Sequence, residues 1–476
     1  MTDRTVVVIG GGLAGITAAI ALREAGIGVT LLEARPWLGG ATCSFSRGGL
    51  VIDNGQHVFL RCCTAYRELL ARLGMTGSVA IQERFDVTIV SAAGRARLRR
   101  TGLPGPLHMG RALAGYSFIS PAQRLRVIRA ALAMRFVDPG KPGLDSQRLG
   151  DWLAARGQNE GTRRKLWDLF IVSALNINGD DAGLGLAATV IKTALLGGRA
   201  AADIGVPAVP LGDLHGRAAA GLLSRLGADV RLGTKVTSVE PGLAGGFGVR
   251  AAAGGGGQAE HEGPGGEVLS ADGVVLAVPA GPAARLAPAA AAAGAARWAE
   301  LGSSPIVNVH VIYDRRVTRL PLAAAVDSPV QWVFDKTRSA GLQAGQYLAV
   351  SVSAADSYVD VPVAALRELF LPALEELFPA AKDARVTDFF VTRERRATFR
   401  QGPGCGALRP GAATSLPGLA LAGSWTDTGW PDTMEGAVRS GHNAAQELIS
   451  QLAAGPADRQ AAAAAAAAAA PARVSS

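Results

Sequence analysis

The N-terminal segment constrains the fold of this chain more than any other part of the sequence. The apolar run "TVVVI" at residues 5–9 is typical of a buried strand and ends directly at a glycine. The next residues, "LAGITAAIALREAG", have helical spacing and close at Gly26, which is typical of a helix C-cap. The run "GVTLLEA" after them is again typical of a strand. This order predicts a strand–helix–strand unit of the kind that binds a dinucleotide at its first turn.

Glycines in a GxGxxG frame occupy that turn. Gly10 permits the tight turn, Gly12 lets the backbone approach a pyrophosphate on the positive helix N-terminus, and Gly15 lets the helix pack on the strand. Glu33 ends the second strand, where its carboxylate can accept hydrogen bonds from ribose hydroxyls and disfavours a 2′-phosphate. The predicted contacts of the turn are Gly10, Gly12, Leu13, Ala14 and Gly15.

The chain after the second strand reads "ARPWLGGA" and is similar to the FAD-dependent amine oxidase and carotenoid desaturase superfamily. In that superfamily the segment turns back beneath the pyrophosphate, which implies contacts from Ala34, Arg35, Gly39, Gly40 and Ala41. A basic residue usually follows the double glycine there. Ala41 stands at this position here, so we expect Arg35 to supply part of the phosphate neutralisation.

The segment "LAGSWTDTGWPDTMEGAVRSGHNAA" near the C-terminus resembles the flavin-binding segment of the same superfamily. There a strand ends at a glycine, a loop passes the isoalloxazine ring, and a helix begins with its amides directed at the flavin. The superfamily usually has Asp where this chain has Ser424, which can hydrogen-bond but cannot carry a negative charge. The contacts implied are Gly423, Ser424, Thr433, Met434 and Glu435, with the backbone of Val236 at the adenine. The three pieces in this order imply FAD.

The stretch "DNGQH" at residues 53–57 lies between a strand-like run and the apolar run "VFL". Its polar and flexible residues are typical of a surface turn. The superfamily resemblance implies instead a loop near the flavin ring, with Gly55, Gln56 and His57 at the cofactor. Three roles for His57 stay open at this point: proton transfer, a structural role near the flavin, and a solvated turn.

Longer stretches resemble the hydroxysqualene dehydroxylase family in particular. They include "DNGQHVFLRCCTAYRELLARLG", "LNINGDDAG", "SPIVNVHVIYDR", "QWVFDK" and "DTGWPDTMEGAVRSG", and they extend to about residue 450. The resemblance implies reductive dehydroxylation of the C30 isoprenoid hydroxysqualene to squalene in bacterial squalene and hopanoid synthesis. Hydride would come from reduced flavin, and the hydroxyl would leave as water. The resemblance also implies association with upstream enzymes of that pathway.

Candidate catalytic residues follow from this chemistry. His57 and Asp427 are the candidate proton donors, although Asp427 also suits a loop cap. Trp425 and Trp430 are expected to line the site of the developing allylic cation. The four cysteines and six histidines show no spacing typical of a metal site, so no metal is expected.

Other functions remain open. A carotenoid or phytoene desaturase would share the flavin fold and run its redox chemistry in the opposite direction. A protoporphyrinogen or amine oxidase is a further alternative, although we can place neither an amine oxidase's lysine near flavin N5 nor its aromatic pair. The non-enzymatic alternative is a flavin-binding scaffold without turnover. The intact glycines and the complete C-terminal flavin segment argue against it.

The predicted fold class is α/β, with a discontinuous Rossmann-like FAD-binding domain and an inserted α+β substrate domain. The expected FAD-binding pieces are 1–70, 211–280 and 415–454. The substrate domain is expected at 71–210 and 281–414, and residues 455–476, with ten consecutive alanines, are expected to be a disordered tail.

The 476-residue chain carries a formal net charge of +9 and shows neither a signal-peptide pattern nor an apolar run long enough for a transmembrane helix. We therefore expect a cytoplasmic protein. From Arg84 to Arg135 ten arginines oppose one acid, Asp86. Aromatic residues do not alternate with them, so no nucleic acid is expected, and an anionic membrane surface is the favoured partner.

The stretch "SPAQRLRVIRAALAMRF" at 120–136 is the candidate membrane contact. Ser120 and Pro121 suit the start of a helix. Leu125, Ile128, Leu132 and Phe136 form one apolar row, and arginines surround it. An interfacial helix on anionic lipid would have this pattern. An ordinary helix packed on the domain core, with a solvated basic face, is the alternative.

Overall fold

The computed structural model describes residues 4–453, except 105–106, 142, 243–244, 253–265 and 292–293. The expected disordered tail at 455–476 lies outside the described residues. The strands are β1 (Thr5–Ile9), β2 (Gly28–Leu32), β3 (Ser44–Arg47), β4 (Leu50–Asp53), β5 (Phe59–Leu60), β6 (Val79–Ile81), β7 (Asp86–Ser91), β8 (Gly94–Arg99), β9 (Ile204–Pro207), β10 (Asp229–Arg231), β11 (Val236–Pro241), β12 (Phe247–Ala251), β13 (Glu267–Ala271), β14 (Gly273–Leu276), β15 (Ser304–Tyr313), β16 (Leu322–Ala325), β17 (Trp332–Asp335), β18 (Gln346–Val352), β19 (Val386–Thr398) and β20 (Leu419–Leu421).

The α-helices alternate with these strands, and short 3-10 and π turns extend several of them. They are α1 (Leu13–Glu24), α2 (Thr64–Arg72), α3 (Gly110–Ala114), α4 (Pro121–Met134), α5 (Leu149–Ala154), α6 (Glu160–Thr162), α7 (Asp168–Leu175), α8 (Leu184–Val190), α9 (Ala218–Arg225), α10 (Ala280–Leu286), α11 (Ala295–Ala299), α12 (Val363–Leu377) and α13 (Met434–Ala453).

A parallel five-stranded sheet with the order β10-β2-β1-β14-β20 forms the first body of the molecule. Side chains of a strand alternate between faces, so β1 is buried on both sides. Val6 and Val8 pack in the cluster that contains α1 and α13, whereas Val7 and Ile9 pack against the small sheet β11-β12-β13. Burying each such side chain stabilises the fold by roughly 1.5–3 kcal/mol.

Helix α1 ends at a glycine cap. Gly26 has φ +81, a conformation that is easy for glycine and strained for other residues. Its amide donates to the Arg23 carbonyl at 3.0 Å, and the next amide, of Ile27, donates to the Leu22 carbonyl at 3.1 Å. This C-terminal cap is the one that the sequence predicts, and it returns the chain to the parallel sheet as β2.

A seven-stranded sheet with the order β19-β15-β18-β17-β16-β7-β8 forms the second body. One face of β15, with Val307, Val309 and Val311, packs on α12 through residues such as Leu366 and Phe370. The opposite face of β15 carries Asn308, His310 and Ile312, because side chains alternate along a strand. Ile312 packs there with Ile52 of β4, so this face of the sheet lies against the segment that follows the dinucleotide turn.

The helices of the central block pack on β7, β16 and β17. Their shared core includes Ile89 and Ala324 from the sheet and Trp152, Leu166 and Leu184 from the helices. None of the described helices combines the length and apolar character that a membrane crossing needs.

Candidate active site

The predicted dinucleotide turn joins β1 to α1. Gly10 has φ +108, and a Cβ there would contact the carbonyl oxygen of Ala277, just after β14. A Cβ on Gly15 would contact the carbonyl oxygen of Gly10. Packing within the chain therefore already requires glycine at both positions.

Gly12 has a different explanation. Its φ of −75 suits any residue, and a Cβ there would approach nothing nearer than the Gly40 Cα at 3.9 Å. The protein itself does not need a glycine at this position. The open space in front of Gly12 lies at the N-terminus of α1, which has no side-chain cap, and it therefore fits the pyrophosphate of a dinucleotide.

The double glycine at 39–40 closes this turn from below. The Gly39 amide donates to the Gly11 carbonyl at 2.8 Å, and a Cβ on Gly40 would lie 2.9 Å from the Gly12 Cα. The Arg35 guanidinium donates to the Gly40 carbonyl at 3.3 Å. The guanidinium thus lies beside the turn, as its expected role in phosphate neutralisation requires. The small residues Ala34 and Ala41 are exposed.

Both oxygens of the Glu33 carboxylate already accept hydrogen bonds. One accepts from the Gly11 amide at 2.6 Å and the other from the Arg35 amide at 2.8 Å. Each oxygen keeps a second lone pair for a ribose hydroxyl. The Glu33 carbonyl accepts from the Thr234 amide at 2.8 Å, which brings the start of β11, with Val236, to the same side of the sheet.

The predicted flavin segment near the C-terminus is organised by an arginine that sequence reasoning missed. The Arg409 guanidinium is buried and donates to four backbone carbonyls of this loop. The distances are 3.2 Å to Ser424, 3.3 Å to Trp425, 2.5 Å to Thr426 and 2.8 Å to Trp430. Burial lowers the pKa of Arg409 below its usual value. The charge is compensated by these carbonyls, so the loop is held in one conformation.

Gly423 and the start of α13 continue this loop. Gly423 has φ +139, and its amide donates to the Ser440 hydroxyl at 2.8 Å. The Thr433 hydroxyl accepts from the Gly436 amide at 3.2 Å and caps α13. Among the described residues, no acceptor is bonded to the amides of Met434 and Glu435, the first of the helix. Free amides at a helix N-terminus fit an electron-rich ligand atom.

The Glu435 side chain has a different partner from the expected cofactor. Its carboxylate accepts from the Ala65 amide at 3.2 Å, the Tyr66 amide at 2.8 Å and the Arg439 guanidinium at 2.8 Å. A carboxylate at the N-terminus of α2 stabilises that helix. Any contact of Glu435 with the cofactor therefore comes from its backbone.

The structure places three of the predicted catalytic residues in settings that argue against direct chemistry. Trp425 is 4% exposed, packs on Trp298 and donates its indole N–H to the Val278 carbonyl at 2.9 Å. Asp427 is exposed and accepts from the Gly429 amide at 3.1 Å, the geometry of a loop cap. The Trp430 ring already carries the Arg439 guanidinium at 4.7 Å from its centroid. The contacts of these residues within the protein instead shape the loop between β20 and α13.

The turn at 53–57 is not a solvated surface loop. Asp53 is 3% exposed, and its carboxylate accepts from the Lys336 ammonium at 2.9 Å, the Ser44 hydroxyl at 2.7 Å and the Leu211 amide at 2.9 Å. Lys336 follows β17, so this buried ion pair ties the turn to the seven-stranded sheet. The pair has enough hydrogen bonds to offset much of its desolvation.

Three polar atoms beside this ion pair have no partner in the described residues. They are Gln56 Nε2, His57 Nδ1 and Asn308 Oδ1, and all are buried. A Cβ built on Gly55 would lie 3.4 Å from His57 Cε1 and 3.7 Å from Asn308 Nδ2, so two of the three side chains converge at this glycine. An unpaired buried polar atom costs about 1–3 kcal/mol, which a hydrogen-bonding ligand would offset.

The charge state of His57 follows from its surroundings. Burial lowers its pKa below the usual value, and the nearby Lys336 ammonium acts in the same direction. The Gly55 backbone and the Asp53 and Glu394 carboxylates oppose this effect without reversing it. The imidazole is therefore neutral at pH 7. It can hydrogen-bond to a hydroxyl but does not store a proton as an imidazolium.

Asn308 was missed at the level of sequence, although a signal for it exists. In "PIVNVHVIYD" the apolar residues of a buried strand alternate with Asn308 and His310, which must therefore share one face. His310 is satisfied there by the Tyr347 hydroxyl at 2.7 Å and the Thr392 hydroxyl at 3.0 Å. Asn308 keeps an unpaired oxygen and remains available to a ligand.

Reactive groups of other kinds are few in the part of the chain that the structure describes. No group of three His, Cys, Asp or Glu side chains there has the arrangement of a metal site. The four cysteines are free, with Cys43 and Cys405 buried. The geometry thus offers a dinucleotide cradle and an adjoining buried polar site.

Comparison with known proteins agrees with this reading. The profile of the flavin containing amine oxidoreductase family matches residues 13–449. The hydroxysqualene dehydroxylase of Rhodopseudomonas palustris is 32% identical over 94% of this chain and 99% of its own length. The zeta-carotene desaturase of a Synechocystis strain is 24% identical, covering 94% of this chain and 98% of that protein.

A solved structure shares the fold. Cyclohexylamine oxidase from Brevibacterium oxydans aligns with a TM-score of 0.70 and 20% identity, covering 95% of this chain and all of the other. These findings confirm the predicted α/β two-domain flavoprotein fold and the predicted class of FAD-dependent oxidoreductase. The chain belongs to the flavin containing amine oxidoreductase family and, within it, to the hydroxysqualene dehydroxylases.

Proposed function

We propose that the protein is an FAD-dependent hydroxysqualene dehydroxylase that converts hydroxysqualene to squalene. The observation that carries this proposal is the group of buried, unpartnered polar atoms on Gln56, His57 and Asn308 beside the dinucleotide cradle. A substrate with one hydroxyl on a long hydrocarbon needs such a place: a few fixed hydrogen-bonding groups within an apolar enclosure.

The reaction breaks the allylic C–O bond, forms one C–H bond at an allylic carbon and releases water. Reduced FAD, held at the glycine turn of β1 and α1, would supply the hydride. The Asn308 amide and the neutral His57 imidazole hold the hydroxyl in place. The departing oxygen takes up a proton that the solvent supplies, so it leaves as water. The Asp53–Lys336 pair fixes the turn that carries His57, and burial keeps the His57 imidazole neutral by lowering its pKa.

The hydrocarbon side of the site begins at the next residue. Val58 and Leu60 pack against the apolar cluster of the helical block, and so do Phe170 and Trp332. Apolar surface directly adjoining the polar atoms fits the chain of a triterpene. We propose residues 71–210 and 281–414, which include this helical block, as the substrate domain. Residues 1–70, 211–280 and 415–454 are then the FAD-binding domain.

Anaerobic incubation of the dithionite-reduced protein with hydroxysqualene tests the proposal. Squalene should form in proportion to flavin reoxidised. The oxidised protein with an electron acceptor and zeta-carotene is the matched assay for the desaturase alternative, and no desaturated product is expected. Desaturation without dehydroxylation would overturn the proposal, and so would flavin reoxidation without any terpenoid product.

Contact with an anionic membrane surface belongs to the proposed function, because the substrate partitions into bilayers. The apolar row of α4, defined as Leu125, Ile128 and Leu132 together with Phe136 just after the helix, is exposed by 59%, 41%, 44% and 89%. The helix packs on the core by its other side, through Val127, Ala130 and Met134. An exposed apolar row bordered by arginines suits an interface with anionic lipid. Upstream enzymes of squalene synthesis would deliver substrate through the same bilayer.

A further inference from the structure

A cavity of about 310 Å³ opens beside α4, on one flank of the apolar row. Its lining residues are Arg126, Arg129, Ala130, Arg156 and Gly157. Three guanidinium groups thus surround one cavity, although only two of them come from the helix. The third, Arg156, comes from the turn after α5.

These arginines are not used to balance charge within the protein. Among the described residues, none of the three forms an ion pair, whereas Arg97 and Arg99 pair with Asp86 and Arg163 pairs with Asp180. Like charges around one cavity repel each other unless an anion joins them. The cavity therefore favours an anionic occupant.

Arg156 is fixed in place before any ligand arrives. Its guanidinium lies 3.7 Å from the centroid of the Trp152 ring and donates to the Trp152 carbonyl at 3.0 Å. Trp152 is itself buried in the helical core. A Cβ on Gly157 would lie 3.5 Å from Arg126 Cδ, which is van der Waals distance, so the turn that carries Arg156 packs against the Arg126 stem. Such preorganisation reduces the entropy lost on binding.

The position of the cavity decides which anion it takes. At 100° per residue, Arg126 and Arg129 flank one side of the apolar row of α4, and that row points away from the core. An anion bound here would lie level with a surface into which Phe136 and its neighbours insert. In a bilayer that level is occupied by phosphate groups, and the planar forks of arginine match phosphate oxygens.

We infer that Arg126, Arg129 and Arg156 form a binding site for the phosphate group of an anionic phospholipid, next to the apolar row of α4. The inference rests on the proposed membrane contact and adds a specific head-group site to it. The site would fix the rotation of α4 on the bilayer.

Vesicle sedimentation of the FAD-loaded protein tests the site. Phosphatidylcholine vesicles containing phosphatidylglycerol are compared with vesicles in which cholesteryl hemisuccinate supplies the same charge without an added phosphate. The parent should bind the phosphatidylglycerol vesicles more tightly. The variant R126Q/R129Q/R156Q should lose this preference, with an affinity loss of about fivefold for each arginine.

Two control variants separate charge from geometry. R225Q/R285Q/R319Q removes three exposed arginines that pair with no acid in the described structure. Its vesicle affinity should stay within about threefold of the parent because none of the three lies on α4 or lines the cavity. R126K/R129K/R156K keeps the charge and should retain hemisuccinate binding while losing the phosphatidylglycerol preference.

Binding of soluble glycerol 1-phosphate, measured by tryptophan fluorescence, tests whether a free phosphate compound occupies the site. It should bind weakly, because it lacks the contribution of the apolar row. Tight binding in solution, equal binding of the parent to both anionic vesicles, or equal losses in the two Gln variants would each overturn the inference. Dehydroxylase activity on detergent-solubilised substrate should be unchanged in every variant, so loss of the head-group site is distinguishable from failure of the proposed reaction.

Discussion

At the scale of single residues, Gly12 and Gly10 illustrate two different reasons for a glycine. Gly10 is required by the carbonyl of Ala277 and by its own positive φ, so a side chain there strains the protein whether or not a cofactor is bound. A Cβ on Gly12 would have no neighbour closer than the Gly40 Cα, at 3.9 Å. A substitution at Gly10 therefore tests folding, whereas a substitution at Gly12 tests ligand binding.

Gly12→Val should therefore yield a folded protein that does not retain FAD. Its side chain fills the space of the pyrophosphate, and the loss of two charge-assisted amide hydrogen bonds corresponds to at least about 100-fold in affinity. Absorbance near the flavin bands and circular dichroism of the purified variant measure the two properties separately. Full flavin occupancy in Gly12→Val would contradict the dinucleotide assignment.

Asn308→Leu, which preserves shape, should lower kcat/KM for hydroxysqualene by about 10-fold to 100-fold. The variant loses the amide that holds the substrate hydroxyl, while its flavin content should not change. His310→Gln is the matched control on the same strand face, because His310 is already paired with Tyr347 and Thr392. Equal activities of parent and Asn308→Leu would show that this oxygen does not contact substrate.

At the scale of elements, the start of helix α4 was predicted from the sequence, whereas the side of the helix that packs on the core was left open. Ser120 accepts from the Gln123 amide at 3.3 Å, and the Gln123 side chain accepts from the Ser120 amide at 3.0 Å. This capping box forms from neighbouring residues and is expected for any helix that starts here. Which apolar row meets the core depends on the partner surface.

Replacing the four residues of the apolar row by Ser should release the protein from phosphatidylglycerol vesicles. Their exposure means that the substitutions remove few contacts within the protein, so the unfolding free energy should change by no more than about 0.5 kcal/mol per site. Activity on detergent-solubilised hydroxysqualene should persist. Undiminished sedimentation with vesicles would exclude α4 as the docking element.

At the scale of the whole molecule, buried histidines connect stability to pH. Burial lowers the pKa of both His215 and His310 to about 3, and for His310 the Arg47 guanidinium acts in the same direction. Between pH 3 and about 6.5 the unfolded chain then binds more protons than the folded one. The contribution of these two histidines to the free energy of unfolding is therefore complete above pH 6.5 and is lost as the pH falls.

We expect each of these histidines to remove about 2 kcal/mol of unfolding free energy between pH 7 and pH 5. Asp168, whose pKa burial raises to about 6, opposes the loss by about 1 kcal/mol. Urea unfolding of the FAD-loaded protein at both pH values measures the net change. In His310→Gln the decrease should be smaller by about 2 kcal/mol; an unchanged pH dependence would contradict the assignment of a neutral, buried His310.

The sequence by itself determined the parts of this protein that depend on short-range order. The strand–helix–strand unit, the glycine cap at Gly26 and the start of α4 follow from residue spacing within one segment, and FAD is implied by the resemblance of three segments to one superfamily. Helical and strand periodicity are local properties, and a dinucleotide turn needs only a few consecutive residues.

Only the tertiary structure decided which distant groups meet. Lys336 reaches Asp53 across 283 positions of the chain, Arg409 gathers the carbonyls of the cofactor loop, and Asn308 faces the turn that carries His57. Trp425 proved to be a core residue, although its segment is the one expected at the flavin. Such contacts depend on how two sheets and a helical block pack together, and packing is a property of complementary surfaces that no local pattern contains.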